Sequence, residues 1–501
     1  MIELKVYKEI ASHTLIYGLG TIIPRILNYG ILTPLYTYNL AESSFGTITE
    51  MYSYVAFLMV ILTFGIETAF FRYSSKSDEK SKIFNHAFTI LLVSSSFFLL
   101  SIIFFNSQIA SIIGYSNQEY LIIVVALIVY FDVLVTLPLA KLRLEGKAIQ
   151  FTIIRVSNIL INIILNVLFF IICKNSNINW LANLYNENIG VGYAFISNLI
   201  ATIFNFLVLL PAIVKLRFNF DKRLFKEMLW YCLPLVLVGL SGIINEVSDK
   251  LFIKYLTLPR ENALKEVGIY SANYKLAILM TLFIQVFRYA AEPLFFKYST
   301  SSDAKDIYSK VMTWFVIFCL VIFLFVTLNI SIFQFFIGEN YRSGLFIVPI
   351  VLIANIFLGI YYNLSIWYKL SDKTNYGAFI SIIGVIITIV LNIVLIPKIG
   401  YLGGAIATIV CYFIMMVLSL LIGQKYYRIE YETKNILVYF LFALLIYYIN
   451  NVFAIDNQEI NIIKGNILIL LFIVFIVWHK RISVSELKNS LLKRKILNNE
   501  N

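Results

Sequence analysis

Long apolar runs separated by short polar segments dominate the chain. A helix needs about 20 apolar residues to cross a hydrocarbon core of about 30 Å, and runs of about that length recur from one end to the other. The first six predicted spans cover residues 12–34, 46–70, 83–106, 119–139, 150–173 and 190–214. The next six cover 228–253, 267–293, 311–333, 343–366, 376–397 and 402–423, and a final pair covers 435–451 and 461–478. The pattern therefore predicts an all-α integral membrane protein with about 14 transmembrane helices.

The composition agrees with this class. Of the 501 residues 60% are hydrophobic and only 14% are charged, whereas about a quarter are charged in soluble domains. The four cysteines lie inside apolar runs without the spacing of a metal site, and no GxxxxGK[ST] phosphate loop is present. We therefore expect no disulfide framework, no metal site, no cofactor and no ATP hydrolysis. The first run leads into the second without a small-residue cleavage site, so we expect no cleaved signal peptide.

Lysine and arginine predict the orientation, because short cytoplasmic loops collect these residues. The terminal segments and the even-numbered loops hold 28 of the 40 basic residues, and the opposite loops hold six. Both termini are therefore predicted to be cytoplasmic. A basic rim facing anionic lipid headgroups accounts for most of the net charge of +12. We accordingly expect no nucleic-acid partner.

An internal duplication divides the chain. The segment Glu67-Thr-Ala-Phe-Phe-Arg-Tyr-Ser-Ser75 matches Glu292-Pro-Leu-Phe-Phe-Lys-Tyr-Ser-Thr300 at five of nine positions, and Gly46 and Asn166 match Gly268 and Asn392. Each unit has six spans, an even number, so the repeats are predicted to be parallel and to form two lobes around a cleft. The predicted divisions are an N-lobe (1–215), a C-lobe (216–425), a C-terminal helix pair (426–480) and a basic cytoplasmic tail (481–501).

Polar residues inside the spans are the candidate site, because a charge in the membrane normally faces a bundle interior or a wet cavity. Arg25 and Asn28 share one face of the first span, and a polar stripe follows the fifth span at helical spacing. The predicted substrate-binding residues of the cavity are Arg25, Asn28, Arg155, Asn158, Asn162, Lys275 and Arg288. Asparagines can also join transmembrane helices to one another, which is the alternative for Asn162 and Asn166. We assign no site to the abundant tyrosines and phenylalanines.

A second set of intramembrane charges is predicted to serve coupling or gating. Its members are Glu67, Asp132, Glu246, Asp249, Lys250 and Glu292. The spacing i, i+4 predicts ion pairs between Glu246 and Lys250 and between Arg288 and Glu292. Simpler interpretations exist: Glu67 and Glu292 anchor the helix ends, and Lys250 and Lys254 extend outwards to the headgroups.

Two segments carry a resemblance to a known family. The first is Leu233-Pro-Leu235, followed by Asp249-Lys250 and then Val267-Gly-Ile-Tyr-Ser-Ala-Asn-Tyr-Lys-Leu276, and the second is Ile396-Pro-Lys-Ile-Gly-Tyr-Leu-Gly-Gly-Ala-Ile-Ala-Thr408. Both resemble the bacterial polysaccharide and O-antigen flippases of the multidrug/oligosaccharidyl-lipid/polysaccharide exporter superfamily. The resemblance implies a V-shaped pair of six-helix lobes that moves a glycan on undecaprenyl pyrophosphate between the leaflets.

Three functions suit such a chain to different degrees. A lipid-linked oligosaccharide flippase for cell-surface polysaccharide or lipopolysaccharide is favoured, with a lipid II flippase as the alternative. A cation-coupled multidrug exporter requires an acidic cavity, which the intramembrane charges do not supply. A membrane enzyme requires catalytic groups in an outer loop, and the longest such loop has few charges, so we expect no enzyme.

The expected setting follows from the same hypothesis. The protein is predicted to act as a monomer in the bacterial cytoplasmic (inner) membrane, with a polyprenyl-pyrophosphate-linked glycan and membrane lipids as ligands. A polysaccharide polymerase and glycosyltransferases are the expected protein partners. The sequence leaves open whether a proton or a sodium gradient drives transport.

Overall fold

The computed structural model describes residues 18, 20–75, 79–214, 221–453, 455 and 457–480, and this part of the chain is built from helices without strands. Thirteen of its helices are long and apolar enough to cross a membrane. Their bounds are Glu42–Ser74, Lys80–Phe104, Glu119–Leu144, Ala148–Cys173, Gly192–Ile213, Lys222–Leu256, Ile278–Tyr298, Ala304–Leu328, Glu339–Leu370, Thr374–Ile399, Tyr401–Tyr426, Thr433–Val452 and Gln458–His479. They correspond to the predicted second to fourteenth spans, which confirms the all-α membrane fold.

The predicted first span and the basic tail are described only in part or not at all. Residues 20–39 are helical, with a π-helical turn at Asn28–Leu32. Residues 12–17 of the predicted first span and the tail 481–501 lie outside the described residues. A π-helical turn inserts an extra residue into a helix and often marks a functional site.

The seventh helix begins six residues before the predicted start. Asp221 caps it, because its carboxylate accepts hydrogen bonds from the backbone N–H groups of Arg223 (3.0 Å) and Leu224 (3.2 Å). The Leu224 N–H, then the Arg223 N–H and Lys82, hold the pKa of Asp221 below its ordinary value despite some desolvation. Hydropathy alone does not detect this polar first turn.

Two spans are interrupted near the cleft. The second span turns at Phe64 and Gly65, whose φ angles of 51° and 65° lie in the left-handed region that favours glycine. The eighth span consists of Ala263–Leu276 and Ile278–Tyr298 with a break at Ala277. The break lies two residues after Lys275, one of the predicted site residues.

The duplication is visible as a reciprocal contact between equivalent glycines. A Cβ on Gly46 would lie 1.9 Å from the carbonyl oxygen of Leu264, and a Cβ on Gly268 would lie 1.9 Å from the carbonyl oxygen of Glu42. Glu42 and Leu264 are themselves separated by the same 222 residues as the two glycines. Such reciprocity is the signature of a twofold relation, so the second and eighth spans cross at a local pseudo-twofold axis.

Equivalent polar contacts recur in the two halves. In the fifth span the Asn166 amide donates to the Asn162 carbonyl at 2.8 Å, and in the eleventh span the Asn392 amide donates to the Thr388 carbonyl at 2.6 Å. The carboxylate of Glu67 pairs with Arg143, and that of Glu292 pairs with Lys369 at 2.5 Å. Both sets match at an offset of 225 or 226, which supports the predicted repeat.

The lobes are closed against each other at the end where the second and eighth spans begin. Besides the glycine crossing, the Tyr341 hydroxyl donates to the Leu40 carbonyl at 3.0 Å, and the Lys265 ammonium lies 3.9 Å from the Glu42 carboxylate. In the predicted orientation this is the outer end of the protein. The central cleft is therefore closed off by a junction between the lobes at this end.

The C-terminal helix pair packs against the ninth span. Gly465 lies beside the carbonyl of Leu328, and the side chains of Asn329 and Asn466 exchange hydrogen bonds at 3.3–3.5 Å. A polar pair of this kind joins helices where water is absent. The pair is thus attached to the C-lobe, outside the duplicated twelve spans.

Candidate substrate cavity

Two adjoining cavities lie between the lobes, with volumes of about 350 Å³ and 280 Å³. Both are lined by Tyr29, which lies in the π-helical turn of the first span, and by Lys275 of the eighth span. The first and eighth spans therefore form the partition at which the cavities meet. Cavities of this size suit a small polar headgroup.

The larger cavity, here the amide chamber, is lined mainly by neutral polar side chains. Its amide-bearing residues are Asn28, Asn158, Asn162 and Asn198. Lys250 and Lys275 supply the charge in its wall. Asn162 is partly engaged, since its side-chain oxygen accepts from Asn166 at 2.8 Å. Asn28 and Asn158 are partly or fully accessible, so their donors and acceptors remain available to a ligand.

The smaller cavity, here the cationic chamber, is lined by Arg25, Lys275 and Arg288, with Glu246 as its acid. The Arg25 guanidinium donates to the Gln285 side-chain oxygen at 2.9 Å, a bond that links the first span to the eighth. The described linings of both chambers hold four cations and one carboxylate. Lys250 and Arg288 are paired with Asp249 and Glu292, which lie outside these linings, whereas Arg25 and Lys275 form no ion pair among the described residues. The arrangement attracts an anion rather than an organic cation.

Lys250 connects the amide chamber to a buried carboxylate. Its ammonium lies 2.9 Å from Asp249 Oδ1, and the Tyr270 hydroxyl donates to Asp249 Oδ2 at 2.5 Å. The Asp249 side chain is only 5% exposed. Asp249 therefore does not line the chambers, but it is bound to a lysine that does.

Arg155 and Asp132 occupy the N-lobe beside the chambers rather than in the linings given above. The charge of Arg155 interacts with Asp132 and with Arg25, and its guanidinium lies 5.8 Å from the Phe151 ring. Sequence spacing shows no acid near Arg155, because Asp132 belongs to the fourth span. The predicted role of Arg155 in binding the substrate stays a prediction.

Glu67 and Glu292 are placed in the equivalent ion pairs described above. Glu292 also lies 4.0 Å from Arg288, which confirms that predicted i, i+4 contact. Both acids sit near the ends of their helices at repeat-related positions. This geometry supports the anchoring interpretation of the two residues.

Two sequence interpretations of the seventh span are wrong. The Lys250 ammonium contacts the backbone carbonyl of Glu246 at 3.5 Å and pairs with Asp249 instead of the Glu246 carboxylate. Lys254 does not extend to the headgroups: its side chain is 11% exposed and pairs with Glu50, which is fully buried. Glu50 was not recognised as a buried acid, because it lies four residues inside a predicted span boundary and resembles an interfacial residue.

The tyrosines that line the chambers were not predicted from the sequence either. Six of them line the chambers: Tyr29, Tyr36, Tyr52, Tyr274, Tyr362 and Tyr412. In the sequence they cannot be distinguished from lipid-facing aromatics, since 33 tyrosines are scattered through the chain. Their rings and hydroxyls add flat apolar surface and hydrogen-bonding groups to the polar walls.

Comparison with known proteins identifies the class. The family described as "Polysaccharide biosynthesis protein" matches residues 10–299, more than half of the chain. The chain therefore belongs to this family. A comparison with curated proteins finds no match.

Solved structures share the fold. The lipid II flippase MurJ in an inward closed conformation aligns with a TM-score of 0.73 and 17% identity, covering 93% of this chain and 99% of that one. An inward-facing multidrug resistance MATE family transporter of the MOP superfamily aligns with a TM-score of 0.60 and 14% identity, covering 82% and 97%. The MATE multidrug transporter DinF-BH has a TM-score of 0.60 and 18% identity, covering 84% and 96%. The family match confirms the expected polysaccharide family, and at these identities the likeness to the solved structures establishes the fold alone.

Proposed function

We propose that the protein is an alternating-access flippase for a glycan carried on undecaprenyl pyrophosphate, used in the assembly of cell-surface polysaccharide or lipopolysaccharide. The observation that carries the proposal is the positive charge of the cavity, whose described linings hold four cations and one acid and in which Arg25 and Lys275 pair with no acid among the described residues. A pyrophosphate needs such neutralisation to cross a low-dielectric region, and arginine offers planar, permanently charged donors for it. We propose no enzymatic activity.

The two chambers suit the two polar parts of this substrate. In the proposed complex the pyrophosphate binds among Arg25, Lys275 and Arg288, and the first sugars enter the amide chamber. There the amides of Asn28 and Asn158 can donate to and accept from sugar hydroxyls. Lys275 lines both chambers and so contacts the junction between phosphate and sugar.

A lipid II flippase is the second candidate. It is favoured by the alignment with MurJ along nearly the whole of both chains, and the carrier chemistry of the proposed cavity would be the same. The multidrug exporter is disfavoured by the cationic lining. We place the protein in the cytoplasmic membrane with both termini in the cytoplasm, acting as a monomer and supplied by glycosyltransferases.

A binding experiment separates the classes. Purified protein in lipid nanodiscs should bind undecaprenyl pyrophosphate and should not bind an organic cation dye. Lys275→Gln should weaken the binding of the pyrophosphate about tenfold or more, because hydrogen bonds to charged groups contribute roughly 1.5–3 kcal/mol. Lys310→Gln is the matched control, since Lys310 is 62% exposed and paired with Asp306 at the surface. Binding of the dye without binding of the pyrophosphate would contradict the proposal.

A further inference from the structure

A third cavity, here the tail cavity, lies behind the second span. Its volume is about 400 Å³, larger than either chamber. Its walls include Met51, Tyr54 and Leu58 of the second span, Ile102 of the third, Val125 of the fourth and Leu251 of the seventh. Neither the sequence nor the proposed transport cycle accounts for it.

The tail cavity is apolar throughout. The one polar group in its described lining is the Tyr54 hydroxyl, which is already engaged with Glu50 Oε1 at 2.9 Å and with the Tyr255 hydroxyl at 2.5 Å. A water molecule needs two to four polar partners, so an apolar cavity of this kind does not hold ordered water. Its occupant must be apolar.

The depth of the cavity identifies where such an occupant comes from. Met51 and Leu58 lie about 14 Å and 24 Å along the second span from its start at Glu42, at 1.5 Å per residue. This range falls within the hydrocarbon core. Large apolar side chains of the adjoining segments are strongly exposed, Phe97 by 75%, Phe104 by 78% and Ile112 by 79%, so this side of the N-lobe faces lipid.

The second span separates the tail cavity from the amide chamber. Thr49, Tyr52 and Ser53 line the chamber, whereas Met51, Tyr54 and Leu58 line the tail cavity. At 100° per residue these two sets point to opposite sides of the helix. A substrate held by its pyrophosphate in the cationic chamber therefore has its prenyl chain on the side of the second span opposite the tail cavity. This exclusion of the prenyl chain from the tail cavity rests on the proposed function.

We propose that the tail cavity binds one acyl chain of a membrane phospholipid. The acyl chain fills the space between the second, third and fourth spans and contacts Leu251 of the C-lobe. The site selects for a hydrocarbon chain and makes no polar contact with a headgroup.

Photocrosslinking tests the site without requiring transport. The full chain is reconstituted in vesicles of phosphatidylethanolamine and phosphatidylglycerol containing a phosphatidylglycerol with a diazirine in the middle of one acyl chain. After illumination, mass spectrometry should find label on the lining residues 51–58 and 122–126 as well as on exposed Phe97 and Ile112. Ala126→Phe, which fills the cavity, should reduce the lining label at least fivefold and leave the exposed label unchanged.

Matched variants guard against misfolding. Val93→Phe adds the same ring at a lipid-facing position that is 64% exposed, and it should leave both labels unchanged. Ile109→Trp obstructs the partly exposed rim instead of the interior and should reduce the lining label as Ala126→Phe does. The proposal is overturned if the lining is not labelled, if both filling variants leave the lining label unchanged, or if undecaprenyl phosphate displaces it while added phospholipid does not. An unlabelled lining, or a lining label that both filling variants leave unchanged, does not bear on the proposed transport of a glycan.

Discussion

At the scale of single residues, Arg25 is the cation that links the proposed substrate site to the lobe contact. It lines the cationic chamber and donates to Gln285 of the eighth span. An anion in the chamber competes with that neutral acceptor, because a charge-assisted hydrogen bond is stronger than one to an amide. We therefore propose that binding of the substrate is coupled to the contact between the first and eighth spans.

Arg25→Ala should abolish transport of the lipid-linked glycan without loss of membrane insertion. Arg25→Lys should restore part of it, since the charge returns but the bidentate fork does not. Transport rates in vesicles, normalised to the amount of inserted protein, provide the measurement. Arg223→Ala is the control, because the Arg223 side chain is 89% exposed and its ion pair among the described residues is with Glu227 on its own helix. A normal rate for Arg25→Ala would refute the assignment.

Asp249 is the second residue whose role can be tested. Protonation of its carboxylate would release Lys250 into the amide chamber, so the pair can exchange a gradient ion for a substrate anion. Asp249→Asn should therefore abolish the dependence of transport on an imposed proton or sodium gradient. The surface variant Asp306→Asn should keep that dependence. If Asp249→Asn responds to the gradient as the unaltered protein does, the buried pair is structural.

At the scale of elements, the glycine crossing of the second and eighth spans is the closest approach to a neighbouring backbone at any glycine in the described part of the chain. Gly46→Ala places a methyl group against a backbone carbonyl that cannot move without shifting a helix. We expect a loss of about 1–3 kcal/mol in stability, the usual result of overpacking. Thermal unfolding in detergent measures it. Gly242→Ala in the seventh span is the matched control, because nothing lies within 4 Å of its added methyl group.

An unchanged melting temperature for Gly46→Ala would show that the second and eighth spans are not held in close contact. The same variant also probes the outer closure. Because the crossing lies at the closed end of the lobes, wider separation there should favour the outward-open state. Cysteine accessibility of the amide chamber from the outer side would detect that shift.

The final helix pair should be dispensable for folding of the lobes. It packs on the ninth span through small and polar contacts, and neither chamber includes it in the described lining. Chains ending at Lys434 should insert normally but transport long-chain carriers more slowly, because we propose that the pair shapes a groove for the prenyl tail. A normal rate for long-chain carriers would exclude the groove.

The elements were largely predictable because each requires only a local signal. A run of about 20 apolar residues defines a span whatever its neighbours are. Gly65 and Asp221 mark features that hydropathy does not predict. The left-handed turn at Gly65 and the polar first turn after Asp221 each depend on a single residue, and an average over a window of residues does not detect it. The repeat was detectable because charged and amide residues recur at a fixed offset.

The site was predictable only where a polar residue stands out against apolar neighbours. Arg25, Asn158 and Lys275 satisfy that condition and line the chambers. Tyr29 and Glu50 do not, because a tyrosine is ordinary in a membrane span and an acid near a span end suggests the interface. Partners on other helices, such as Lys254 for Glu50, depend on the packing of the spans and cannot be read from spacing.

At the scale of the whole molecule, two related lobes are closed against each other at one end and enclose a cationic cavity. The repeats carry equivalent ion pairs and amide contacts, yet their interiors differ. The N-lobe face contributes open amides to a chamber, whereas Asn245 of the C-lobe is engaged by Ser381 and Thr388 at 3.2 Å each. We therefore propose that the glycan binds on the N-lobe side of the cleft.

The most direct test of the proposed flippase activity is leaflet-resolved translocation by the purified protein. Vesicles receive an undecaprenyl-pyrophosphate-linked oligosaccharide with a fluorescent sugar in one leaflet, and a membrane-impermeant quencher reports its arrival in the other. We expect rapid translocation by the unaltered protein, none above empty vesicles for Arg25→Ala, and no transport of an organic cation dye. Equal rates for the unaltered protein and for empty vesicles, with or without an ion gradient, would contradict the proposed activity.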